Sequence, residues 1–175
     1  VIDQAQKKNN DRTWCFWEKT PGLFESIVHA KWNTLEFLST DFKKELDLES
    51  YTYKMILGLD FYNFVLNYAQ KFENVTFLQE TITAIDTGTE SAVITTQENS
   101  YTARYVFNST NVFNPEITEQ NSLLQHFKGW VIQSEKPVFN PKAGRLMDFS
   151  VSQKQGATFM YVLPTSTTKA LVEYT

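Results

Sequence analysis

The sequence predicts an α/β fold, α+β over this stretch, in which one amphipathic helix is set among many short strands of mainly antiparallel sheet. Two patterns carry that expectation. In "FYNFVLNYAQKF" the residues Phe61, Phe64, Val65, Tyr68 and Phe72 recur at three- and four-residue spacing, which gives a helix one apolar face. Elsewhere apolar and polar residues alternate over short segments bounded by Gly, Pro, Thr and Asn, the pattern of half-buried strands.

The elements follow in order. Residues 13–18, 31–38 and 51–57 alternate as strands, with "KTPG" and "STDFKKELDLES" as turns or polar connections. Asp60 is placed to cap the helix that follows. After the helix, "NVTFLQE", "TAIDTG", "SAVITTQ" and "YTARYVFNST" predict a three-stranded meander and a return strand containing "YVFNS". From residue 123 strands resume in "HFKGWVIQS", "GRLMDFSVSQ", "GATFMYVLP" and "TKALVEYT", punctuated by Pro137, Pro141, Gly144, Gly156 and Pro164. The expected organisation is two interleaved domains, residues 1–10 with 58–112 and residues 11–57 with 113–175.

Composition narrows the function. A chain of 175 residues, 42% hydrophobic, can bury a core, and 15% aromatic content suggests strands lining something large and apolar. A net charge of -4 without a Lys/Arg stripe argues against nucleic acid. The single Cys15 excludes an internal disulfide and is most simply a small apolar strand residue. His29 and His126 lie far apart with no ligand-spaced cluster around either, so no metal is expected. No apolar run approaches the length of a membrane span.

The opening Val1-Ile2-Asp3 resembles the end of a strand already under way. An apolar pair ending in an acid also closes the second strand of a dinucleotide-binding fold, where the carboxylate bonds the adenosine ribose; any other strand can equally end in Asp. On the first reading the phosphate-binding glycine loop is expected upstream of residue 1, and the chain is expected to be an internal fragment.

Five stretches, "NDRTWCFWEK", "YKMILGLDFY", "LLQHFKGWVI", "RLMDFSVSQ" and "FMYVLPTSTTKALVEYT", resemble in order the motifs of the flavin-dependent lycopene cyclases, particularly the bacterial β-cyclases of carotenoid synthesis. The resemblance implies part of a FAD-binding Rossmann-like domain of the glutathione-reductase/aromatic-hydroxylase type, joined to an antiparallel β substrate-binding sheet. It implies ring closure at the ψ-ends of lycopene without net redox change, with reduced FAD as cofactor and NAD(P)H as its reductant. It further implies peripheral attachment to the inner face of a bacterial cell membrane, with "TPGLF" as one contact loop. A FAD-dependent monooxygenase, a polyprenyl reductase and a non-catalytic lipid-binding fragment are the alternatives.

Such a reaction needs an acid strong enough to protonate an alkene, aromatic walls for the carbocation and a base. A carboxyl group is kept protonated by burial among apolar residues. Glu173, within "ALVEYT", suits this, and it matches the first glutamate of the Leu-Glu-Glu-Thr run of similar plant cyclases, whose second is Tyr174 here. Asp148, mid-strand in "RLMDF", is the second candidate acid; the other reading is an Asp at a bulge or bonded to backbone. The resemblance assigns Asp3 to the FAD ribose. Arg12 pairs either with FAD phosphate or with Asp11 or Asp41. Trp14, Phe16, Trp17, Phe159 and Tyr161 are the candidate substrate-binding aromatics; Trp14 and Phe16 share one strand face and Cys15 and Trp17 the other, so one pair can simply fill the core.

Overall fold

The computed structural model describes residues 1–110, 112, 124–154 and 156–175. Its elements are β1 (Ile2–Asp3), β2 (Thr13–Glu18), β3 (Val28–Trp32), β4 (Thr34–Ser39), β5 (Phe42–Asp47), β6 (Thr52–Leu57), α1 (Gly58–Ala69), β7 (Leu78–Gln79), β8 (Ile82–Thr87), β9 (Ala92–Thr96), β10 (Ser100–Ala103), β11 (Lys128–Gln133), β12 (Ala143–Asp148), β13 (Met160–Pro164) and β14 (Lys169–Tyr174).

The α/β expectation is overturned. Among the described residues strands dominate, the one α-helix is 12 residues long, and no Rossmann βαβ unit is present. The reason lies in the pairing: among the described residues only the two-residue β1–β7 pair and the β12–β4 pair are parallel, and every other strand pair is antiparallel. Smaller expectations also change. The polar connection after Ser39 contains β5, which pairs with β4 through a tight turn at Thr40-Asp41. The strand expected over 31–38 is broken at Asn33, and "YVFNS" forms no strand. The helix starts at Gly58, before Asp60, and its end is capped from elsewhere: Asn10 Oδ1 accepts the Leu59 N–H at 2.9 Å. Residue 113, where the second segment of the β domain is expected to begin, and residue 123, where strands are expected to resume, lie outside the described residues.

The chain divides into two compact units. The first holds Val1–Asn9 and Tyr62–Leu123. Here β1 pairs in parallel with β7, and β8, β9 and β10 form an antiparallel meander. Alternation sets the faces of β9, where Ala92, Ile94 and Thr96 are buried and Val93 is exposed. Glu80 closes the unit's polar network by accepting hydrogen bonds from Thr96, Asn99 and Tyr101, bonds led by Thr96 that hold its carboxyl below the usual range.

The second unit holds Asn10–Phe61 and Leu124–Thr175. It contains a three-stranded sheet, ordered β2-β6-β3, and a six-stranded sheet, ordered β11-β14-β13-β12-β4-β5. All pairs are antiparallel except β12 with β4. Trp32, Leu35, Tyr53, Met55 and Leu163 form the core, drawn from both sheets and packed by Cys15, Ala30, Leu146 and Leu171. The Trp32 indole N–H, buried there, donates to the Pro164 carbonyl at 3.2 Å. Because β6 alternates, Tyr53 and Met55 enter this core while Lys54 turns to the opposite face. There its side chain, only 5% exposed, is paired with both Glu18 and Glu25.

Candidate active site

The site is built by strand alternation in β14. Ala170 and Val172 point to one face of the six-stranded sheet, and Leu171 and Glu173 to the other. Cross-strand partners share a face, so the register fixes what surrounds the acid: Tyr161 of β13 lies opposite Glu173 on one side and Gly129 of β11 on the other. This face also carries Leu163, a core residue, and therefore fronts the three-stranded sheet. A cavity of about 1040 Å³ lies within the unit, lined among others by Cys15, Tyr53, Met55, Gly129, Tyr161 and Glu173.

Electrostatics in this cavity favour neutral groups. Burial pushes the Glu173 carboxyl above its ordinary pKa, and no ion pair to it forms among the described residues. Burial likewise pushes the Cys15 thiol up to about 11, although a hydrogen bond from Tyr53 works the other way. Tyr53 is raised by burial and then by Cys15, and Tyr161 by burial and then by the Glu173 charge. The result is a partly desolvated carboxyl group among two phenols and a thiol, a setting that shifts a carboxylic acid toward its neutral form.

Asp148 stands elsewhere. A bulge in β12 resets the alternation between Arg145 and Asp148, so these two residues, three apart, face the same way. Asp148 is paired with Met160, a neighbour in sequence of Tyr161, and so lies on the face opposite Glu173. It accepts the Ser150 N–H at 3.0 Å and pairs with Arg145 at 3.1 Å. Burial acts to raise its pKa, but the Ser150 hydrogen bonds and the Arg145 charge outweigh this and hold the carboxyl below its usual range. Arg145 also binds Glu36, which Lys43 engages at 3.1 Å. This is a charged lattice tying β12 to β4 and β5.

The aromatic candidates divide by face. Trp14 packs on Phe61 at 4.5 Å and lies on the opposite side of β2 from Cys15, as does Phe16. Trp17 shares the face of Cys15 and lies tilted against Tyr53 with ring centroids 4.8 Å apart, but it is 47% exposed. Phe159 lies 5.2 Å from Tyr161, and rings continue from it through Phe149 and Phe37 to Phe42 at steps of 5.3, 5.5 and 6.2 Å. Sequence reasoning missed Tyr53 and Gly129. The alternation of "YTYKMIL" carries the signal for Tyr53, whereas Gly129 depends on a pairing no local pattern reveals.

Asp3 and Arg12 belong to different units. Asp3 ends β1, its Oδ1 accepting the Ala5 N–H at 3.1 Å and its Oδ2 meeting Lys7 at 3.2 Å, with the carboxylate still well exposed. Arg12 binds Asp11 at 2.9 Å and lies 6.0 Å from the Trp14 ring.

The sequence profile described as "Lycopene cyclase protein" matches residues 1–175. The chain belongs to the lycopene cyclase family. No curated protein sequence matches this cyclase-family chain. Two solved structures resemble it: tetracycline destructase Tet(55), with a TM-score of 0.42 and 6% identity over 85% of this chain, and tetracycline destructase Tet(51), with 0.39 and 8% over 81%. The lycopene cyclase family chain spans 39% and 37% of the length of those two proteins.

Proposed function

We propose that the protein is a lycopene β-cyclase in which Glu173 starts ring closure by protonating the terminal double bond of the linear polyene. The observation that carries this reading is the desolvated Glu173 carboxyl in a cavity shared with Tyr53 and Tyr161. The proton leaves the Glu173 oxygen for an alkene carbon, a neighbouring double bond closes the ring on the resulting cation, and a ring proton is then lost. The Glu173 carboxylate left behind is the base placed to take that proton back, so the reaction is an isomerisation with no net redox change. Tyr161, beside Glu173, offers a ring face to the cation, an interaction worth ~0.5–2 kcal/mol.

Reduced FAD, with NAD(P)H as its reductant, completes the proposal. Asp3 fits a ribose contact, because its exposed carboxylate closes a strand with acceptor capacity to spare. The sequence has no glycine before Gly22, so the residues present supply no phosphate-cradling loop. A bound reduced flavin would supply an electron-rich ring system to the developing positive charge.

The substrate is a membrane-dissolved hydrocarbon, which supports peripheral attachment at the inner membrane face. No helix among the described residues is long and apolar enough to cross a membrane, and Leu23 in the "TPGLF" loop is 54% exposed. The test is to express the intact protein in a lycopene-accumulating bacterium and separate the pigments. Cyclic product from the parent and a loss of ~10²–10⁴-fold in Glu173→Gln are expected. Near-parental conversion by Glu173→Gln overturns the assignment.

A further inference from the structure

The reading of Glu173 as the acid leaves open how a long, flexible side chain is held in one place on the face of β14. The surroundings are asymmetric. On the β13 side stands the Tyr161 ring, and on the β11 side stands Gly129, directly opposite Glu173 in the register. A Cβ built on Gly129 would lie 2.9 Å from Glu173 Cγ, 2.9 Å from its Oε1 and 3.4 Å from its Cδ. The glutamate side chain therefore lies folded over the bare Cα of residue 129, in space that any other residue would fill.

The geometry points to Gly129 as a positioning residue for the proton donor: the absence of a side chain on β11 is the seat of the Glu173 carboxyl. This inference rests on the reading of Glu173 as the catalytic acid. Every close contact is to the tail of Glu173, none to backbone, so a methyl group at 129 displaces the carboxyl before it displaces the strand. Displacement turns the carboxyl away from the polyene end and toward water, since β11 is an edge strand exposed along its length. The titratable groups that interact with it are Cys15 of β2, Tyr53 of β6 and Tyr161 of β13. Asp11, Arg12, His29, Lys128 and Lys169 line the same cavity.

The test uses the intact protein and two readouts. In the first, Glu carboxyl groups are ¹³C-labelled and Glu173 is assigned by the resonance lost in Glu173→Gln. Gly129→Ala is expected to lower the pH at which Glu173 titrates, and to reduce turnover by about 10²-fold, in kcat more than in KM. An unchanged titration in a folded Gly129→Ala protein overturns the inference. A lowered titration with unchanged turnover upholds the seat and overturns Glu173 as the acid. The second readout covers poor folding of Gly129→Ala: its effect on the urea midpoint is measured in the parent and in a Glu173→Ala background. The glycine is expected to be replaceable without loss once the glutamate is gone, and an equal loss in both backgrounds overturns the proposal.

Discussion

Gly144→Ala probes the packing beneath the strands of the candidate site. Gly144 lies in β12 with Leu35 and Leu163 against its bare face, and a Cβ there would sit 2.9 Å from Leu35 Cδ2, 3.2 Å from Leu163 Cδ2 and 3.5 Å from Trp32 Cγ. Ordinary carbon contacts fall at ~3.5–4.0 Å, so the two leucine methyl groups must retreat by roughly half an ångström. They have nowhere open to go, since Trp32, Leu35 and Leu163 are 1%, 0% and 2% exposed. Overpacking of this kind costs about 1–3 kcal/mol. At ~2–4 °C per kcal/mol for a chain of this size, the melting temperature should fall by several degrees. Urea denaturation followed by tryptophan fluorescence measures it. Leu35→Ala alone should cost ~2–5 kcal/mol, but together with Gly144→Ala it should cost less than the sum, because the new methyl group enters the vacated space. A Gly144→Ala midpoint equal to the parent's, or strict additivity with Leu35→Ala, would refute this account of the core.

Three further outcomes follow from the charged groups. Burial raises the folded pKa of Glu173 above its unfolded value, so its stabilising contribution is complete below about pH 4.3 and is lost as pH rises through the folded value. Glu173→Gln should therefore gain stability relative to the parent between pH 4 and 8 as judged by urea midpoints, and a constant difference across that range refutes it. Asp148 has the opposite sign: its lowered pKa stabilises the fold above the unfolded value and the contribution is lost as pH falls through the folded one. Asp148→Asn should lose about 1–2 kcal/mol at pH 7, less in acid, while turnover per folded molecule stays near parental; a loss of turnover like that of Glu173→Gln would return Asp148 to the site. Lys54→Met leaves Glu18 and Glu25 facing each other without their cation, and should destabilise the protein by about 1–3 kcal/mol, the partners' partial exposure softening the penalty; a midpoint unchanged from the parent would show the triad to be inert.

Local periodicity made most strands legible. Residues 13–18 and 169–174 are short apolar runs closed by polar residues, and they are β2 and β14. Where pattern and pairing part company the sequence was silent. β5, "FKKELD", carries four charged residues among six because it is an edge strand facing solvent, and composition alone therefore resembles a loop. The bulge in β12 is likewise invisible to a period-two count, yet it decides that Asp148 turns away from Glu173. The α/β expectation failed for a related reason: Val1-Ile2-Asp3 has the composition of a Rossmann strand end, but composition carries no information about what pairs with it.

A carboxylic acid in a β-sheet works against stability, and that opposition is informative. At position 173 alternation calls for the apolar residue that Leu171 already supplies on the same face, and a glutamate there gives up apolar burial and is pushed toward its neutral form. The neighbouring strands make room for it: β11 presents a glycine where a larger side chain would collide, and β13 presents a tyrosine whose ring stands beside it. Asp148 shows the contrast within the same sheet. It has a guanidinium and a backbone N–H, so its charge stabilises the strands it joins, whereas Glu173 has no ion-pair partner among the described residues and burial raises its pKa. An acid that serves the fold is given a counter-charge, whereas one that is to donate a proton is denied it, and on that ground the proposal assigns the proton to Glu173 rather than to Asp148.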